Sequence, residues 1–292
     1  MKRFSIVLVC MTIMMFLPVH VRAAYYSIQK IGEGIYCAIT LPEGKATSNA
    51  MFVVTSNQVV LVGAHFLPEG VRELVAEIAK ITPLPIRHVI LTHHHQGFNY
   101  IDFDLPANAE VITSWQTWQA LKNELRPFKH QVIVFDSHLT LQRDTTSLVL
   151  NNTVSGHSEG DVIVYLPSEG VLFASDLVFN DTVGYMGDGH MRDWVLNLDM
   201  MEQLNPRVVI PGVGKVTDMD GIARFRTIMR DFLTEVLKHV EKGFTLAQTK
   251  KAFSLPEYQS LPGFKTFFDV NLERAYKELK EGDSATPSSR AH

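Results

Sequence analysis

The chain has 292 residues, 46% of them hydrophobic, enough to bury a substantial core as one large α/β domain or two small ones. Its 27 basic and 31 acidic side chains give a net charge of −4, which excludes a basic nucleic-acid-binding footprint. The two cysteines, Cys10 and Cys37, exclude a disulfide-rich scaffold.

Met1-Lys2-Arg3 leads into the apolar run Phe4 to Leu17, followed by Val21-Arg22-Ala23 with small residues suited to signal peptidase. This predicts a secretory signal over residues 1–23 rather than a membrane anchor, because the apolar run is short for a span. Its removal takes away Lys2, Arg3 and Arg22 and no acid, leaving 24 basic against 31 acidic side chains, a net −7. The expected product is exported, periplasmic or secreted, with no stable membrane anchor. Cys10 falls in the signal, so Cys37 is left alone as a small apolar strand residue, and stability must come from the core and any metal.

Strand-like runs follow at 34–39, 50–55 and 59–62, separated by Pro42-Glu43-Gly44-Lys45 and Ser56-Asn57. Val71, Leu74, Val75, Ile78 and Ala79 have helical spacing that ends before Pro83, and 86–91 returns as a strand. After a strand at 110–112, Thr113 with Gln116 three later predicts a capping box opening a helix to about Leu121. Runs of β-formers at 132–135, 147–150, 162–166 and 171–173 make a second β-rich block. A helix from Trp194 to Leu204 feeds a strand at 207–211 and a turn at Gly212-Val213-Gly214. The strongest helix carries the stripe Ile222, Phe225, Met229, Phe232, Val236 and Val240, and shorter ones are predicted near 245–253 and 268–280. The small polar tail is read as disordered over residues 282–292, leaving one domain at 24–281.

The chemistry gathers after the run Val89-Ile90-Leu91, where Thr92-His93-His94-His95 delivers histidines at the end of a buried strand. His93 and His95, two apart, can aim at one ion while His94 points elsewhere; neutral imidazoles are zinc ligands. A third ligand must come from elsewhere: His157 in Gly156-His157-Ser158-Glu159-Gly160 precedes another strand, and Asp176 closes Leu172-Phe173-Ala174-Ser175-Asp176. These four positions outline one metal site.

Over roughly Ile28 to Thr217 the chain resembles the metallo-β-lactamase superfamily. That family carries H-x-H-x-D-H after a strand, G-H-T before another, an aspartate after an L-F-x-G-like segment, and a late P-G-H-G turn. Here the matches, in the same order, are His93 and His95, Gly156-His157-Ser158, Leu172 to Asp176, and Pro211-Gly212-Val213-Gly214. The resemblance implies an α/β fold of αββα type, two β-sheets packed face to face with helices outside, and a zinc ion on His93, His95 and His157.

The departures imply as much. The family's second metal is held at positions that here are Gly97, Phe98 and Val213, which carry no donor atoms, and Gly63 stands where an early aspartate is expected. Asp176, which bridges both ions in the family, is the second-site ligand that remains, so at most one zinc is expected. His65 and His190 are candidate auxiliary groups near the pocket. The implied function is hydrolysis of an ester, thioester, amide or similar bond of a small molecule by metal-activated water, weakened by the lost donors. The alternative is a non-catalytic relative that binds a ligand or partner as an accessory protein.

Overall fold

The computed structural model describes residues 24–42, 47–64, 67–95, 105–122 and 129–282. The signal segment 1–23 and residues 283–292 of the tail lie outside the described residues, as do His65, Gly97 and Phe98.

Seven strands form the first sheet in sequence order: β1 (Tyr26–Gly32), β2 (Ile35–Thr40), β3 (Ala50–Val54), β4 (Val59–Gly63), β5 (Ile86–Leu91), β6 (Glu110–Ser114) and β7 (Val132–Phe135). The first four make an antiparallel meander, and β4 to β7 run parallel. Helix α1 (Pro68–Ile81) crosses between β4 and β5, and α2 (Trp115–Lys122) between β6 and β7. The second sheet has the order β12 (Val208–Val213), β11 (Val171–Phe179), β10 (Val162–Leu166), β9 (Thr146–Asn152), β8 (His138–Arg143). Only its β11–β12 pair is parallel, joined through helix α3 (Met191–Gln203). Helices α4 (Met219–Glu241), α5 (Leu246–Ala252) and α6 (Phe264–Gly282) follow.

Period-two alternation sorts the strand side chains into three buried layers. Ile35, Cys37, Met51, Val53, Val60, Val62 and Ile90 of the first sheet meet Leu148, Leu150, Val162, Val164 and Phe173 of the second. Their neighbours Phe52, Leu61, Val89 and Leu91 turn outward onto Val71, Leu74 and Ile78 of α1. On the far side, Ile163, Leu172 and Ala174 face Trp194, Leu198, Phe225, Met229 and Leu272. The result is the expected sandwich of two sheets between helical layers. Cys37 sits in the inter-sheet layer, where burial pushes its thiol up to about 12, so it is an inert core residue.

The differences from the sequence reading have physical causes. Strands β1 and β8 were not legible because they are sheet edges, half-solvated and rich in polar residues (YSIQKIG, HLTLQR), so the apolar signal is missing. β11 continues to Phe179 with every residue buried, which places Asp176 inside a strand. Gly212-Val213 belongs to β12 rather than to the turn, and the left-handed backbone starts at Gly214, φ +99°. The cap of α2 lies one residue later than predicted: Ser114 Oγ accepts from Thr117 N at 3.2 Å, while Thr113 donates to Leu91 O and Gln116 accepts from Asn152.

Candidate metal centre

Parallel strands β4 and β5 end side by side at Gly63 and Leu91, and the chain leaving β5 is fixed at once. Thr92 N donates to Gly63 O at 3.1 Å, Thr92 O accepts from Val162 N at 2.8 Å, and Thr92 Oγ1 meets Ser175 Oγ at 2.8 Å. Both sheets therefore hold the residue before the histidines. The third histidine arrives on the tight connection between β9 and β10. There Ser158 donates from its N–H and its hydroxyl to the buried carboxylate of Asp161, and Ser114 and Thr117 at the head of α2 donate to Gly160 O.

The rings of His93, His95 and His157 meet edge to face with centroids 4.5 to 5.3 Å apart. One nitrogen from each lies within 4.8 Å of the others, and all three residues are buried. His95 Nε2 and His157 Nε2 face each other at 2.6 Å. Two imidazole lone pairs at that separation repel unless a proton sits between them or a cation takes its place. His94 is half-buried and outside the convergent set, as its neighbour's spacing predicts.

Asp176 completes the constellation. Its Oδ2 lies 3.7 Å from His93 Nε2 and 3.6 Å from His157 Nε2, and Ser48 Oγ donates to its Oδ1 at 2.6 Å. Burial pushes this carboxyl up to about 7, against the pull of the Ser48 hydroxyl. A cation among these groups would restore its charge, and three neutral nitrogens with one carboxylate form a donor set suited to zinc. Ser175, immediately before it, takes φ +52° at an irregularity in the β11–β12 pairing. This left-handed residue turns Asp176 toward the histidines and brings Ser175 Oγ within 3.2 Å of His93 Nδ1.

His95 has a partner that sequence reasoning missed. Its Nδ1 meets Asp188 Oδ2 at 2.9 Å, and Tyr185 donates its hydroxyl to Asp188 Oδ1 at 3.1 Å. Burial depresses the His95 pKa, and Asp188 pulls it back up. A carboxylate on Nδ1–H fixes the tautomer that leaves the Nε2 lone pair aimed at the other histidines. We expect Asp188→Ala to weaken zinc binding by about 10- to 100-fold, with Asp188→Asn losing less because it still accepts the hydrogen bond. Competition with a chromophoric chelator measures this, and an unchanged affinity in both variants would remove Asp188 from the role.

His190, a candidate auxiliary group, goes elsewhere. Its ring faces Glu159 Oε1 at 3.7 Å and Arg274 at 3.5 Å, while its backbone N donates to Gly156 O at 2.7 Å. It buttresses the His157 connection from behind. Trp194 does the same through its ring, 5.2 Å from that of His157, with its indole N–H on Leu177 O. Val213 lines the cavity beside the site and pairs with Phe179 across the strands. Ser48 and Asn49 were also missed. Asn49 is fully buried and donates to Pro211 O and Gly214 O, joining β3 to β12 beside Asp176. The one signal for them is a polar pair just ahead of a continuous apolar strand.

A cavity of about 420 Å³ opens on His95, His157 and Asp176. A larger one, about 580 Å³, lies behind Phe179 between α4 and the 257–261 segment, and no member of the histidine set lines it. The convergent chemistry makes the smaller cavity the candidate functional one.

Comparison with known proteins agrees with this geometry. The family described as "Metallo-beta-lactamase superfamily" matches residues 106–213, a span that holds His157 and Asp176. The chain is 22% identical over 225 residues to a metallo-beta-lactamase type 2 of Bacteroides fragilis, covering 73% of this chain and 88% of that protein. It is 26% identical over 207 residues to one of Bacillus sp. (strain 170), covering 66% and 77%. Among solved structures, a metallo-beta-lactamase from Pontibacter korlensis superposes with a TM-score of 0.60 at 21% identity, over 70% of this chain and 99% of that one. The DIM-1 metallo-beta-lactamase gives 0.59 at 20% identity, over 70% and 97%. At such identities the superpositions show the fold.

Proposed function

We propose that this chain, which belongs to the metallo-β-lactamase superfamily, is a metal-dependent hydrolase of a small molecule with an ester, thioester, amide or similar bond. The observation that carries the reading is the convergence of three buried imidazoles with Asp176 beside a cavity of substrate size. His93, His95 and His157 would hold one zinc ion, with Asp176 next to it. Bound there, zinc supplies Lewis acidity and lowers the pKa of a coordinated water toward neutrality.

The chain's own residues do the rest. Asp176 is the buried carboxylate of the site, and its Oδ2 is the atom placed to take or hold a proton beside His93 and His157. Ser48 fixes the opposite oxygen, so the carboxylate cannot turn away. Asp188 and Ser175 set the rings of His95 and His93. The donor-free residues Gly97, Phe98 and Val213 support a single ion. Residues 1–23 support export to the periplasm or beyond, and no helix among the described residues is long and apolar enough to cross a membrane. The β-lactamase activity named for the relatives is not carried over, because fold does not assign a substrate.

The test is the zinc content of the purified protein together with a panel of esters, thioesters, lactams and phosphodiesters. Turnover that vanishes on chelation and returns with zinc is the expected result. Zinc without turnover of any class would instead favour an accessory protein that binds its ligand unchanged, a reading that Val213, apolar on the cavity wall, also supports. Protein that neither binds zinc nor turns over any substrate would end the proposal.

A further inference from the structure

The cavity beside the histidines is walled by apolar groups, and two of its lining residues, Gly263 and Phe267, come from a part of the chain beyond the family match. Phe267 is contributed by α6, well past residue 213, and Val183, Tyr185 and Phe179 stand beside it. His95, Tyr185 and Phe267 form one aromatic sequence, with ring centroids 5.6 and 6.3 Å apart, leading from the metal ligands into the cavity. No lysine or arginine lines it among the described residues.

This wall is built rather than incidental. Three side chains of α6 pin the segment that carries Val183, Tyr185 and Asp188. Asn271 accepts from Met186 N at 2.8 Å and donates to Gly184 O at 3.0 Å, Arg274 donates to Gly189 O, and Glu278 accepts from Met191 N at 2.8 Å. Val183 N also donates to Pro262 O at 2.9 Å. The C-terminal helix therefore fixes both the apolar wall and the Tyr185–Asp188 pair that orients His95.

We infer that the substrate carries an uncharged apolar group, an acyl chain or aryl ring, that seats against Phe267 while its scissile bond faces His95, His157 and Asp176. The inference rests on the hydrolase reading for the bond and on the cavity for the group. A carboxylate or phosphate placed there would lose its hydration and meet Asp176 without a compensating cation among the described residues. An apolar group loses nothing and gains the burial of each methylene.

Calorimetric titration with alkyl hydroxamates from butano- to octanohydroxamate, on metal-free and zinc-loaded protein, tests it. Affinity should rise about fourfold per methylene until the cavity is full, in both forms. Phe267→Glu should weaken octanohydroxamate at least tenfold with the melting temperature and zinc content unchanged, and Phe267→Ser should lose less. On metal-free protein, octanoate should bind more weakly than octanohydroxamate. Absence of binding, an affinity flat with chain length, indifference to both Phe267 variants, or tighter binding of octanoate would each overturn the inference. A chain-length slope in a protein that binds no zinc would leave the subsite standing and end the metal reading instead.

Discussion

Replacing His93 and His157 together by alanine is expected to take bound zinc from a stoichiometric amount to background. The two residues supply two of the three nitrogens in the convergent set, and they come from separate elements, the exit of β5 and the connection between β9 and β10. What remains, His95 and Asp176, is too small a donor set for useful affinity. The same change should abolish the stabilisation by added zinc. A ligand that binds only the folded state at 1,000 times its Kd adds about 4 kcal/mol, so the wild-type melting temperature should climb with zinc and that of the variant should not. The fold itself should survive, because the inter-sheet layer from Ile35 to Phe173 includes none of these histidines.

The pH dependence of zinc binding has a definite sign. Protons and metal compete for the same lone pairs, so affinity falls as pH falls through the histidine pKa values. Burial keeps the His95 value below its ordinary one, so its nitrogen stays available to lower pH than an exposed imidazole would. Elemental analysis of both proteins, with calorimetry from pH 8 down to about 5, checks each part. Equal zinc in the wild type and the double variant would place the metal elsewhere.

The second large effect concerns a glycine. At Gly212 an added Cβ would fall 2.0 Å from Asp176 Oδ1 and 2.6 Å from both its Cα and its N. Backbone cannot yield as a flexible side-chain tip does, so the β11–β12 pair must part or Asp176 must turn. Gly212→Ala is expected to cost about 3 kcal/mol, a drop of roughly 6 to 12 °C in melting temperature for a domain of this size. It should also weaken zinc binding, because the displaced carboxylate is the one beside His93 and His157. Gly32→Ala is the control: a Cβ there meets nothing nearer than 3.6 Å, and both readouts should stay close to wild type. A Gly212→Ala protein with wild-type melting and zinc affinity would show that the two strands are not held as closely as this.

These two effects divide along the line between what the linear chain carries and what folding adds. His93 and His95 could be read from their spacing after an apolar strand, and His157 and Asp176 from short motifs in the right order, because these signals are local. The inner strands were legible for the same reason: a strand buried on both faces carries an apolar run, as Val162 to Leu166 and Val171 to Phe173 do, while the rest of β11 was missed because Ser175 and Asp176 interrupt it. Edge strands β1 and β8 were not, since solvent on one side lets polar residues in. The role of Gly212 was hidden because nothing in the chain shows that Asp176 lies against it.

The sequence by itself carried the β-rich and helical runs and the local motifs of His93, His95, His157 and Asp176, and the order of those motifs carried the resemblance that implies the layered fold. Only the tertiary structure decided which groups hold those ligands in place. Ser48 reaches Asp176 across 128 residues and Asp188 reaches His95 across 93, while Phe267 closes the cavity from the last helix. Such pairings depend on how two sheets and their helices pack in three dimensions, and the chemistry of each partner is common enough on any surface to leave no mark in the linear chain.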